Sequence, residues 1–190
     1  MNPMEILPDV PIQVPNMEGL AAWASGLIGE RDLWAVLAAV ADVLKPGHAQ
    51  GMAHGDIRAE RVAVCPDGFV LLSATESRRG ASPEDDVWQT GALLYRLALG
   101  LEVFGGHGQN WQTADTPLPV IRSEWPDLSQ CVKRMLAYAP DERPSMEQLS
   151  KVAHEHLAKD WPEHPARRMA LEENSESVVG EWDTLWPDEF

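Results

Sequence analysis

The sequence predicts a mainly helical domain carrying one small β-hairpin. Four segments repeat apolar residues at helical spacing, and one pair of short apolar runs is joined by a Pro-Asp-Gly turn. With 44% apolar residues in 190, the chain has enough hydrophobic side chains for a substantial core and is expected to form one domain with a tail.

The first nineteen residues hold Pro3, Pro8, Pro11 and Pro15, which forbid a long helix there. The core begins after them. Leu33, Leu37, Val40, Ala41 and Leu44 fall at i, i+4, i+7, i+8 and i+11, a helical stripe closed by Lys45-Pro46-Gly47. Val62-Ala63-Val64 and Phe69-Val70-Leu71-Leu72 flank Cys65-Pro66-Asp67-Gly68 and read as the hairpin. Asp86 to Leu99 is the second helix, with Val87, Gly91, Leu94 and Ala98 in line and Gly100 as its stop. The stretch from Gly105 to Pro126, rich in Gly, Trp and Pro, reads as loop with one short helix. Leu128 to Tyr138 and Ser145 to Leu157 complete the helices, the last opened by Arg143-Pro144-Ser145. The expected division is a Pro-rich segment over 1–19, a helical domain over 20–159 and an acidic tail over 160–190.

A formal charge of −15 repels nucleic acid and anionic membranes at long range, so neither is an expected partner. Much of the imbalance lies in the tail, where nine acidic residues face only Arg167 and Arg168. No apolar run approaches the roughly 18 residues needed to span a bilayer. The opening Met1-Asn2-Pro3-Met4-Glu5 lacks the basic start of a signal peptide. Cys65 and Cys131 have no C-x-x-C spacing, which points away from a disulfide framework or a zinc site and towards a reducing, cytoplasmic setting. His154-Glu155-His156 offers no metal site either, because histidines two apart on a helix point to different faces.

Met52 to Val64, with His54, Gly55, Asp56, Arg58 and Arg61, resembles the catalytic loop H-R-D-L-x-x-x-N of protein kinases. Two later runs agree in order. Asp86-Val87-Trp88-Gln89-Thr90-Gly91-Ala92-Leu93-Leu94-Tyr95 is similar to the family's central D-V-W-S-L-G-x-x-L-Y helix, and Met135 to Ser145 is similar to M-L-x-x-D-P-x-x-R-P-S. Ile12 to Leu20 is a weaker match to the hinge that enters the C-terminal lobe. Over residues 50–157 the resemblance implies a C-lobe-like helical domain. The first fifty residues hold neither a G-x-G-x-x-G loop nor a V-A-I-K segment, so an absent N-lobe is expected.

The resemblance also assigns roles. Asp86 would brace the backbone of the catalytic loop, and Glu84, in a remnant of A-P-E, would meet Arg143. Asp56 takes the place of the base that accepts a substrate proton, and Arg58 that of a lysine. Arg61 stands where an asparagine holds magnesium, and a guanidinium cannot ligate a cation. The D-F-G position falls at Ala74, Thr75 and Glu76, without its metal-holding aspartate. Gly55 replaces the arginine that clamps a phosphorylated activation loop. His54 reads as a packed histidine and Asp56 as a loop residue capping local amides, with Arg58 pairing Asp56 or Glu60.

These losses lead to the expectation of a catalytically inactive pseudokinase, not an enzyme, without cofactor or metal, that serves as a scaffold or regulatory subunit. Its partner would be another protein or a second copy, met through the face that an N-lobe would cover and through Trp182, Leu185, Trp186 and Phe190 of the tail. Two alternatives stand beside it. One is a split or atypical phosphotransferase completed by a second chain, with Asp56 as base; the other is a small acidic chaperone or anti-activator.

Overall fold

The computed structural model describes residues 28–65, 68–71, 80–159 and 161. Helix α1 spans Glu30–His48, strands β1 and β2 span Val62–Cys65 and Gly68–Leu71, and helices α2, α3 and α4 span Pro83–Leu99, Pro126–Met135 and Met146–Leu157. The two strands form one antiparallel ladder that pairs Val62 with Leu71 and Cys65 with Gly68. Among the described residues the mainly helical class with one hairpin follows the apolar spacing of the sequence. Pro66 and Asp67, read as the turn, lie outside the described residues.

Helix α1 is the hub. Leu33, Trp34, Val36, Leu37, Val40 and Ala41 are fully buried, and the helix packs along α4 and also against α2 and β2. Its start is set by Gly29, whose amide donates to Asp32 Oδ2 at 3.1 Å, satisfying one of the groups a helix N-terminus leaves open. Its end differs from the reading at Lys45-Pro46-Gly47: Pro46 sits within the last turn and the helix runs on to His48. Near the C-terminus the proline ring forfeits only one backbone bond, and the Gly47 carbonyl recovers bonds from the amides of Gln50 and Met52.

Helix α2 also starts earlier than Asp86. Ser82 caps it, with the Ser82 hydroxyl accepting from the Asp85 amide at 3.3 Å and the Asp85 carboxylate accepting from the Ser82 amide at 3.0 Å, while Pro83 fills the first helical position. Gly100, at φ 68°, closes it. Helix α3 crosses α2 where Gly91 has no side chain: a Cβ there would lie 2.9 Å from Met135 Cβ and 3.2 Å from Leu136. Gln112, 5% exposed, ties the same junction by accepting from Trp88 Nε1 at 3.0 Å and donating to the Leu136 carbonyl at 2.7 Å. The stretch from Gly105 to Pro126 holds one tight turn, Gln109–Trp111, and begins within another, Val103–Gly106. Among the described residues no helix is long and apolar enough to cross a membrane.

Candidate functional site

The segment from Met52 to Arg61 is held from beneath by one face of α2. Asp86, wholly buried, accepts from the amides of His54 at 2.6 Å and Gly55 at 2.7 Å, and from His48 Nε2 at 2.8 Å. One turn later Gln89 Oε1 accepts from the Ile57 amide at 2.7 Å. Side chains three apart on a helix share a face, so a single helix fixes the loop from His54 to Ile57. Gly55 has φ 77°, a left-handed conformation that disfavours a side chain, at the position where the kinase motif carries arginine. His54 Nδ1 accepts from the Asp56 amide at 3.2 Å, which turns the loop back on itself.

Asp56 is three-quarters buried and lies between two guanidinium groups. Arg58 Nε is 2.9 Å from Oδ1, and Arg61 Nε is 2.9 Å from Oδ2. The turn at Ala59–Arg61 brings Arg61 back over Asp56, five positions earlier in the chain. Oδ2 accepts charge-assisted hydrogen bonds from Arg61 Nε at 2.9 Å and from a terminal nitrogen of Arg58 at 3.3 Å, while Oδ1 is in ion-pair contact with Arg58 Nε. Arg58 is half exposed and Arg61 mostly buried. Glu60 faces away, 3.8 Å from Arg96.

Kinase chemistry employs magnesium, and the residues at this part of the site do not fit it. A cation beside Asp56 would sit against two guanidinium charges, and Arg61 offers only donors. Among the described residues no group of three or more His, Cys, Asp or Glu side chains is placed to hold a metal. Ala74, Thr75 and Glu76, the D-F-G position, lie outside the described residues, as do Trp182, Leu185, Trp186 and Phe190.

Arg143 joins the end of α3 to the start of α2. Its Nε donates to the Ala137 carbonyl at 2.9 Å, one terminal nitrogen to the Glu84 carbonyl at 2.9 Å, and the other to the Tyr138 carbonyl at 3.2 Å. The link to Glu84 runs through that backbone oxygen rather than the carboxylate, and the nearest carboxylate is that of Asp85 at 4.0 Å. The cap at Ser82 determines this, because it winds residues 83–86 into the first helical turn. Burial lowers the Arg143 pKa against the opposing pull of Asp85 and Glu84.

Where α1 packs on α4, Asp42 of α1 accepts from Ser150 Oγ at 2.6 Å, His154 Nε2 at 2.8 Å and Lys45 Nζ at 2.9 Å. Burial pushes its carboxyl up, but the hydrogen bonds from Ser150, Lys45 and His154 outweigh it and hold the group below the usual aspartate range. His156, two positions from His154, instead stacks on Trp34 with centroids 4.1 Å apart. Burial pushes the Cys131 thiol up to about 12, so it packs as a small neutral group.

Sequence reasoning missed His48, Gln89 and Gln112. Gln89 carried a usable signal, since it lies one turn from Asp86 on the same helix face. His48 and Gln112 reach partners 38 and 24 positions away, and no local pattern marks such contacts.

No protein-family model matches the chain, and no curated protein matches it. Among solved structures the chain is similar to the crystal structure of the PknI kinase domain of M. tuberculosis, with a TM-score of 0.58 and 18% identity. The match covers 75% of this chain and 62% of that one, so the chain spans less than two thirds of the kinase domain it resembles. The fold is thus kinase-like. This likeness overturns the expectation, drawn from lost metal ligands, that the chain is not an enzyme. The shared fold is that of a kinase domain, and the departures at Arg61 and Ala74 do not amount to evidence of inactivity.

Proposed function

We propose that this chain is a C-lobe-like kinase-fold module that works through contact with another protein, as a scaffold or regulatory subunit in the cytoplasm. The observation that carries the reading is the Asp56 carboxylate, with both oxygens engaged by Arg58 and Arg61. Paired with both arginines, this carboxylate ties its own loop into a fixed surface. Asp86 and Gln89 brace the same loop through the amides of His54, Gly55 and Ile57, which favours a role as a contact surface. The tail supplies anchors: Trp182, Leu185, Trp186 and Phe190 set large apolar groups among acids, a pattern suited to docking on a neutral or basic protein.

Cross-linking the full chain in its native lysate, followed by affinity measurement with the purified partner, tests this reading. The joint substitution Trp182→Ala and Trp186→Ala is expected to weaken the complex by about tenfold or more, the usual effect of removing aromatic anchors. Unchanged affinity would exclude the tail as the docking element.

A second reading rests on the fold likeness to a kinase domain. In it a second chain completes a phosphotransferase and draws Arg58, half exposed, away from Asp56 so that one carboxylate oxygen is released. Asp56→Asn in the reconstituted assembly then abolishes product formation, and unchanged turnover removes Asp56 from the chemistry.

A further inference from the structure

An aromatic ladder climbs from the core to the surface between α2 and the segment after it. The ring centroid of Trp88, 5% exposed, lies 6.4 Å from that of Phe104, which lies 6.0 Å from that of Trp111. His107 stacks on Trp111 at 5.3 Å with 20° between the planes. Trp111 is 52% exposed, and its indole N–H donates to no acceptor among the described residues. Phe104 has φ 50°, a strained conformation for a side-chain residue, and among the described residues no other non-glycine shows positive φ. That conformation sets its ring between Trp88 and Trp111. Next to the ladder lies a cavity of about 410 Å³ whose lining includes His107, Gln89, Gln109 and Asn110. An outward indole backed by rings, beside side-chain amides, is the chemistry that receives a polyproline II strand. The rings pack on pyrrolidines, and the indole and amide N–H groups meet carbonyls that this helix leaves without internal partners.

We propose that this ledge receives the chain's own Pro-rich segment, centred on Pro8-Asp9-Val10-Pro11 and continuing to Pro15. The prolines fix φ and favour the extended form before any contact is made, which limits the entropy lost on docking. Ile28 lies seventeen positions after Pro11, a reach on the order of 50 Å when extended. A domain of this size has a diameter of roughly 36 Å and a longest surface path of about 57 Å, so the segment reaches most of the surface around Ile28. Tethering sets its effective concentration at about the millimolar level, enough to fill a site of weak intrinsic affinity. The proposal is independent of the tail and of any chemistry at Asp56.

Fluorine NMR of the full chain labelled with 5-fluorotryptophan tests it. The Trp111 resonance is identified by its loss in Trp111→Phe. Joint substitution of Pro8→Ala and Pro11→Ala is expected to shift that resonance and raise its solvent isotope effect, while the resonance of buried Trp34 stays in place and reports an intact fold. Pro3→Ala, outside the segment, leaves Trp111 unchanged. A synthetic peptide of residues 5–16 added to the double variant returns the Trp111 resonance to its original position. Adding Trp111→Ala to that variant weakens the binding of the dye-labelled peptide by about tenfold. An unshifted Trp111 resonance in the double variant overturns the proposal, as does equal peptide binding without the indole. A shift that depends on protein concentration also overturns it, because it marks a second copy as the occupant.

Discussion

Asp86 holds the loop because its carboxylate is purely an acceptor facing donors: two backbone amides and the His48 ring. Asp86→Asn keeps the volume but turns one side of the group into a donor against a donor. It is expected to cost about 3–5 kcal/mol, as removal of one partner from a buried charged network does. Urea unfolding measures the loss, and faster hydrogen exchange at the amides of His54 and Gly55 locates it; unchanged exchange there contradicts the bracing role. Arg143 is a second such residue, since three carbonyls diverge around one planar guanidinium. Arg143→Lys cannot satisfy them all and is expected to destabilise by about 2–3 kcal/mol, despite the retained charge. The motif resemblance singled out Asp86 and Arg143, because such residues sit at fixed positions in recognisable runs. It could not say that Arg143 meets Glu84 through the backbone, or that Arg61 folds back on Asp56. Those contacts depend on how Ser82 starts a helix and how a short turn closes.

Among the elements, the α2–α3 crossing is limited by Gly91. Adding a methyl gains about 1 kcal/mol of helix propensity but drives Cβ into Met135, a contact that must shift the helix backbone. Gly91→Ala is therefore expected to lower stability by about 1–2 kcal/mol net, read as a reduced urea midpoint with unchanged slope. A gain in stability would mean that the helices are not this close. The α1–α4 junction has a pH signature. Asp42 has a folded pKa below its ordinary 3.8, so its contribution is full above that value and fades as pH falls below it. Asp42 is more than a third exposed, and solvent screening keeps the contribution small. Asp42→Asn is expected to lower the thermal midpoint at about pH 7 and to converge with the parent chain towards about pH 2; a constant difference across that range contradicts the assignment. The interiors of these helices were legible from apolar spacing, but their ends were not. Capping by Ser82 and Asp85 looks in sequence like a remnant of another motif, and a proline in a last turn looks like a stop.

At the scale of the whole molecule, three short runs in the right order were enough to read a kinase-like fold that no family model matches and that shares 18% identity with the PknI kinase domain. Order survives where identity fades, because each run fixes a contact between distant elements: loop to α2, α2 to the end of α3. Function was less legible. The same residues that mark the fold also suggested loss of catalysis, and a fold likeness to a kinase domain withdraws that step. The chemical question is what Asp56 does once a partner is bound. Under the proposed function its carboxylate stays with Arg58 and Arg61, and the chain contributes a surface.

The most direct measurement compares two variants of the full chain in the complex with its purified partner, following partner affinity and phosphoryl transfer by the assembly together. The proposed function predicts that Trp182→Ala with Trp186→Ala weakens the complex about tenfold, while Asp56→Asn leaves phosphoryl transfer by the assembly unchanged. Loss of product in Asp56→Asn, with the partner still bound and the fold intact, would contradict it and assign the aspartate to catalysis.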